Sequence, residues 1–143
     1  MKYVMEKVRG KIRNREYANQ VKDYSLLCWG KMTPTDIDGF LDFHNRIFVF
    51  LEVKQGSSSL STGQRIAYEN LANATDKSGI ATLVLIAVHD KKNPSHYNEQ
   101  GDILVDVLPI AKYFWRRKWR IPQHPETVRS AINRFLECNQ LPN

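Results

Sequence analysis

Apolar and polar positions along the chain follow the period of a helix in some stretches and the period of a strand in others. Val4, Val8 and Ile12 lie four residues apart, as on one face of a helix, whereas the apolar run Ile80–Val88 is typical of a central strand. In chain order, the pattern predicts a helix over residues 4–22, strands over 24–30, 37–43 and 47–53, a helix over 62–76, strands over 80–88 and 102–107, and a helix over 125–138. We expect one domain over residues 1–143, of the α/β class, in which helices flank a mixed central sheet.

The second and third predicted strands flank the segment His44–Arg46 and predict a hairpin. If these three residues form the loop, Phe43 pairs with Ile47, and one face of the hairpin is apolar throughout. A two-residue loop would mix charged residues into both faces, so the three-residue loop is favoured. In this register the opposed residues at the far end of the other face are charged: Asp38 with Glu52, and Asp36 with Lys54.

One of these pairs consists of two carboxylates. Directly opposed residues have Cβ atoms about 4.5–5.5 Å apart, and two carboxylates this close repel one another unless a cation lies between them. A divalent ion with oxygen ligands is the natural cation for such a site. The alternative is an exposed strand end at which Lys54 only neutralises Asp36 in a surface ion pair.

The overall charge favours an anionic partner. The chain of 143 residues has a formal net charge of +6, which indicates nucleic acid before membrane. No apolar run approaches the ~20 residues that span a bilayer, and the N-terminal residues lack the apolar core of a signal peptide. Cys28 and Cys138 do not have the spacing of a metal motif and are expected to be reduced thiols. We therefore expect an intracellular, cytoplasmic protein with no membrane partner.

A basic and aromatic segment, KYFWRRKWR, occupies residues 112–120. Its cations would contact phosphates, and its aromatic rings would stack on exposed bases. The alternative is an amphipathic element whose aromatic side chains pack on the sheet. The cations of the segment are Lys112, Arg116, Arg117, Lys118 and Arg120.

The ordered set Asp38, Glu52, Val53 and Lys54, placed on two consecutive strands, resembles the PD-(D/E)XK nuclease superfamily. The resemblance covers about residues 10–90, because a helix and a strand precede the set and a helix and an apolar strand follow it. It implies a restriction-endonuclease-like αβββαβ core. The chain departs from the family pattern in having no proline immediately before Asp38, which leaves Asp36 open as the ligand. Asp38 is preferred because it faces Glu52.

The first predicted helix gains a role from this resemblance. Glu16 continues the stripe of Val8 and Ile12 by one further turn. Nucleases of the Holliday-junction-resolvase and VRR types carry a first-helix glutamate near the metal, and Glu16 looks similar. Alternatively, the buried face of the helix ends before Glu16, and this side chain reaches solvent. Arg13 and Arg15 would add phosphate contacts.

The function implied by the resemblance is Mg²⁺-dependent hydrolysis of DNA phosphodiester bonds, with Mn²⁺ as a substitute and branched or junction DNA as the preferred substrate. Lys54 would stabilise negative charge that develops on the phosphate. Gln64 would orient the lysine or the attacking water, although Ser61-x-x-Gln64 also has the spacing of a helix capping box. The implied metal ligands are Asp38, Glu52, the Val53 carbonyl and Glu16.

Two other functions stay open at this point. One is a catalytically silent nucleic-acid-binding module on the same fold, and the other is an RNA-directed nuclease. The complete acid and lysine set argues against the silent module, since a silent copy has no reason to retain repelling carboxylates. We also expect a homodimer, because a four-way junction offers two symmetric scission points.

Overall fold

The computed structural model describes residues 14–18 and 20–140, and the chain divides into two compact units, Met1–Pro34 and Thr35–Asn143. The described part of the first unit contains one short helix, α1 (Arg15–Ala18). Of the helix predicted over residues 4–22, residues 4–13 and 19 lie outside the described residues, and residues 20–22 are not helical.

The strand predicted over residues 24–30 is wrong. The Asp23 carboxylate accepts a hydrogen bond from the N–H of Ser25 at 2.9 Å, and the next residues form a turn. The apolar pair at the centre of this segment is Leu26 and Leu27. Leu26 is 96% exposed, so the pair is not packed as in a buried strand. Local turn formation by the aspartate has therefore overridden the strand preference of this segment.

The second unit is built on a five-stranded mixed sheet. Its parallel pair of strands is joined by α2 (Thr62–Lys77), and its other neighbouring strands are antiparallel. The α/β class and the mixed sheet are thus confirmed, and the restriction-endonuclease-like assignment stays a prediction. In both chain order and spatial order, the strands are β1 (Gly39–Phe43), β2 (Ile47–Gln55), β3 (Ala81–His89), β4 (Ile110–Trp115) and β5 (Lys118–Arg120).

The sheet of this unit lies between two helices. On one face, Phe50 of β2 packs in a cluster with Tyr68 of α2. On the other face, Val49 packs in a cluster with Phe135 of α3 (Val128–Cys138). Alternate residues of β2 therefore belong to different layers, as strand geometry requires. None of the described helices combines the length and the apolar character needed to cross a membrane.

The predicted hairpin register is confirmed. Phe43 pairs with Ile47 beside the loop, and Gly39, the first residue of β1, pairs with Leu51. Phe50 packs against α2, and alternate strand residues share a face. Glu52 and Lys54 therefore lie on the face of the sheet that α2 covers.

The predicted second helix is also confirmed, together with its capping box. Ser61 Oγ accepts a hydrogen bond from the N–H of Gln64 at 3.2 Å, and Gln64 Oε1 accepts one from the N–H of Ser61 at 3.3 Å. These bonds satisfy amide donors that have no partner within the helix, and they fix where the helix begins.

Two later predictions need correction. Residues 102–107 do not form a strand: Ile103 makes an isolated bridge to Tyr97, and Val105–Val107 is a 3-10 turn. Val105 of this segment packs at the edge of the apolar cluster that contains Phe135 of α3, without pairing to a strand. The last helix begins at Val128 and not near residue 125, because Thr127 caps it.

The buried end of α2 gives a test of how one carboxylate affects stability. Asp76 Oδ1 accepts a hydrogen bond from the N–H of Thr82 at 2.9 Å, while Oδ2 is buried without a partner among the described residues. Burial raises the pKa of Asp76, and this effect outweighs the bond from Thr82 and the charges of Arg116 and Arg117, which lower it.

We expect Asp76→Asn to keep the Thr82 bond and to remove the cost of a buried charge. Because the pKa of Asp76 is raised in the folded protein, this side chain contributes most to the free energy of unfolding below its unfolded-state pKa of about 3.9. That contribution is lost as the pH rises through the folded-state pKa. Thermal melts should show equal stability at low pH and a more stable variant at neutral pH. Asp42→Asn, which alters a carboxylate that accepts a backbone N–H in an exposed turn, is the matched control. A neutral-pH melting temperature below that of the wild type would contradict this expectation.

Candidate functional site

Four side chains converge where β2 ends and α2 begins. Glu52 and Lys54 come from β2, and Gln64 and Tyr68 come from the first two turns of α2. Gln64 and Tyr68 are four residues apart and therefore share one face of the helix, which is the face turned to the sheet. Together with Asp38, which directly precedes β1, these residues are called the Glu52 cluster.

Glu52 is the buried member of the cluster, at 4% exposure. Its Oε2 accepts a hydrogen bond from the Tyr68 hydroxyl at 2.6 Å. Its Oε1 accepts a longer bond from Gln64 Nε2 at 3.4 Å and lies 3.5 Å from Lys54 Nζ. A buried carboxylate is costly unless it is paired and hydrogen-bonded, and Glu52 meets both conditions.

Lys54 is held by two acceptors. Its Nζ donates to Gln64 Oε1 at 3.1 Å and lies 3.5 Å from Glu52 Oε1, and its side chain is 19% exposed. The ammonium group is therefore fixed beside the carboxylate while part of it faces solvent. A partly exposed cation in a fixed position can contact an incoming anion.

Asp38 is exposed and contacts β2 through the backbone. Its Oδ2 accepts a hydrogen bond from the N–H of Val53 at 2.8 Å. The N–H and C=O of one strand residue point to the same side, so the Val53 carbonyl is directed toward Asp38 and past the start of β1. Of the two aspartates that the sequence left open, Asp38 is the one that this structure brings into hydrogen-bond contact with β2.

Tyr68 is a central residue of the cluster that sequence reasoning missed. It is 1% exposed, and burial raises the pKa of its hydroxyl, with further contributions from the hydrogen bond to Glu52 and from the charges of Glu52, Asp38 and Asp36. The hydroxyl therefore stays protonated and acts as a donor. The signal that could have found it is its position one helical turn after Gln64, on the same face.

The cluster offers a limited set of metal ligands. In the part of the chain that the structure describes, no group of three or more His, Cys, Asp or Glu side chains is arranged to hold a metal ion. Asp38, Glu52 and the Val53 carbonyl supply only oxygen atoms. This set fits Mg²⁺, which is held in many sites by one or two carboxylates and keeps several waters. It does not fit a metal that prefers sulfur or imidazole.

The residues predicted on the first helix are not tested by this geometry. Arg13 lies outside the described residues, and Arg15 and Glu16 lie in α1 of the first unit. Their roles as phosphate contacts and as a metal ligand stay predictions.

The aromatic rings of the basic segment pack on the fold. The segment forms the β4–β5 hairpin, in which Trp119 lies against Phe114 with ring centroids 5.1 Å apart. Trp115 meets Phe135 of α3 edge to face at 4.8 Å. The alternative reading of this segment, in which the aromatic side chains dock on the sheet, is therefore what the structure shows for these rings.

The cations of the segment lie in different places. Lys112 and Glu52 both pair with Ile86 of β3, so they share one row and one face of the sheet, with Lys112 Nζ 4.8 Å from the Trp119 ring centroid. Arg116 and Arg117 form the hairpin turn, level with the start of β3, about 20 Å along the strands from Lys54. Lys118 and Arg120 lie on β5 at the edge of the sheet.

Comparison of the chain with models of protein families, with curated proteins and with solved structures finds no match. The resemblance to PD-(D/E)XK nucleases therefore depends on the residues and the geometry described above.

The Tyr68 hydroxyl should make a measurable contribution to stability. Hydrogen bonds to charged groups contribute about 1.5–3 kcal/mol, and we expect Tyr68→Phe to lower the free energy of unfolding by that amount. Urea denaturation measures the change. In a double-mutant cycle with Glu52→Gln, the effect of Tyr68→Phe should become smaller, because the charged acceptor is gone. Equal effects in both backgrounds would mean that the 2.6 Å contact is not the source of the stabilisation.

Proposed function

We propose that the chain is a metal-dependent nuclease that hydrolyses DNA phosphodiester bonds, with a preference for branched DNA. The observation that supports it most strongly is the connected set Glu52–Lys54–Gln64–Tyr68, with Asp38 bound to the backbone of Val53. A carboxylate pair beside a fixed, partly exposed ammonium group has the chemistry that phosphodiester hydrolysis requires. The preference for branched DNA comes from the resemblance to junction-resolving nucleases.

Asp38, Glu52 and the Val53 carbonyl would hold the divalent ion. When bound, the ion would acidify a coordinated water and neutralise phosphate charge. The Tyr68 hydroxyl donates to Glu52 Oε2, so this side chain is held in place in its buried position. Because the pKa of Tyr68 is raised, its hydroxyl serves this positioning role and does not act as the general base.

Lys54 would act on the substrate. Its Nζ is near enough to Glu52 to share the site and exposed enough to reach a phosphate oxygen, where it would stabilise the negative charge that develops. Gln64 Oε1 accepts from Lys54 and also from the Ser61 N–H of the capping box. One amide side chain thus links the start of α2 to the position of the ammonium group.

The direct test is a cleavage assay on single-stranded, duplex, flap and four-way-junction DNA, with Mg²⁺ or with excess chelator. We expect cleavage only with the metal, most rapidly on the branched substrates, while circular dichroism shows a folded protein in both conditions. Cleavage that continues in excess chelator would contradict the metal mechanism. Metal-independent binding without any cleavage would indicate the silent binding module, and cleavage of the matched RNA alone would indicate a ribonuclease.

Single substitutions separate the roles within the cluster. Lys54→Ala should lower the cleavage rate by about 10²–10³, the usual effect of removing one group that stabilises transition-state charge. Asp38→Asn retains an oxygen that can accept the Val53 N–H but loses the charge, and it should abolish cleavage without unfolding the protein. Asp36→Asn is the matched control and should retain activity. If Asp36→Asn abolished cleavage and Asp38→Asn did not, the ligand assignment would be wrong.

A further inference from the structure

The end of the sheet opposite the Glu52 cluster carries a concentration of positive charge. The hairpin turns β1–β2 and β4–β5 both lie at this end, because β2 and β3 are parallel and β4 runs back along β3. The C-terminus of α2 also reaches it. The basic end is defined as the exposed side chains Arg46, Lys77, Arg116 and Arg117.

These cations have no ion-pair partner among the described residues, whereas Lys54, Arg65, Arg129 and Arg134 each have a carboxylate partner. Lys77 lies in the last turn of α2, where it also complements the helix dipole. Arg46, Arg116 and Arg117 lie in hairpin turns, so the helix dipole does not account for them.

A groove runs between Arg46 and the two arginines of the β4–β5 turn. Two adjoining cavities of about 260 and 390 Å³ share Gly79, Ala81 and Asn139. Arg46 lines the first cavity, and Arg116 and Arg117 line the second. The acidic residue in the described lining is Asp76, whose Oδ2 is buried.

Both residues of the β4–β5 turn are arginines with a strained backbone conformation. Arg116 and Arg117 have φ values of 49° and 65°, the left-handed region in which Asn-Gly is the usual two-residue turn. Arg116 is further fixed over the Trp115 ring, with its guanidinium carbon 4.9 Å from the ring centroid. Strain of this kind is retained where the side chain has a use outside the local fold.

The geometry points to a second nucleic-acid contact at this end: we propose that the basic end binds the phosphate backbone of nucleic acid. The β2 and β4 strands are two strand spacings apart, about 9.5 Å, a length of duplex axis over which each DNA strand carries about three phosphates.

This surface is about 20 Å from Lys54 along the strands, so it contacts a different segment of the nucleic acid from the one held at the Glu52 cluster. The Glu52 cluster and the basic end would both contact nucleic acid, but binding at the basic end does not depend on cleavage. Without a divalent ion, Asp38 and Glu52 repel phosphate, and binding should then report mainly on the basic end.

The test is fluorescence anisotropy of a labelled DNA duplex in excess chelator, over a range of salt concentrations. Arg46→Gln and Arg117→Gln should each reduce the log–log salt slope by about 0.9, and the double variant by about 1.8. Arg129→Gln is the control, because it removes an exposed arginine that already pairs with Asp106 at 3.9 Å; its slope should equal that of the wild type. Equal slopes for all variants would overturn the proposal.

A second variant separates binding from folding. Arg116→Asn/Arg117→Gly relaxes the turn, so its melting temperature should equal or exceed that of the wild type while its salt slope falls by about 1.8. A lower melting temperature with an unchanged slope would show that the arginines serve the fold alone. Competition with poly-glutamate of matched length identifies the ligand class: tighter binding of the peptide than of the duplex would replace nucleic acid by an acidic protein partner.

Discussion

The hydrogen bond from Tyr68 to Glu52 is the interaction on which the rest of the candidate site depends. Glu52 lies in the second half of β2 and contacts α2 through Tyr68, in a buried position where an unpaired carboxylate would be strongly unfavourable. The tyrosine hydroxyl satisfies one oxygen from within the core, and the other oxygen stays near Gln64 and Lys54. The fold thereby keeps a carboxyl side chain near the end of β2, where a purely structural core would place an apolar one.

The start of α2 connects the fold to the chemistry. Gln64 is both a member of the capping box and the acceptor for Lys54, so the residue that fixes the first turn of the helix also fixes the ammonium group. Asp38 extends the β1–β2 hairpin by one side-chain contact to the Val53 N–H. The cluster therefore forms only if the start of α2, the end of β2 and the hairpin register are all correct. The same strands position the basic end, which lies about 20 Å away along them.

Much of this arrangement could be predicted from the sequence. The apolar alternation around His44–Arg46 specified the hairpin register, and the Ser61–Gln64 spacing specified the helix start, since both follow from short-range geometry. Tyr68 was missed because an aromatic residue on an apolar helix face has the pattern of a core residue, and only its place one helical turn after Gln64 distinguishes it. Residues 24–30 and 102–107 were misread because their apolar residues have no partner strand, a fact that only the tertiary structure reveals.

We propose that the buried Glu52 side chain binds a divalent cation. Calorimetric titration of Mn²⁺ into the wild-type protein and into Glu52→Gln measures this binding without a substrate or turnover. We expect saturable binding by the wild type and its loss in the variant, with both proteins folded. Identical titrations of the two proteins would contradict it.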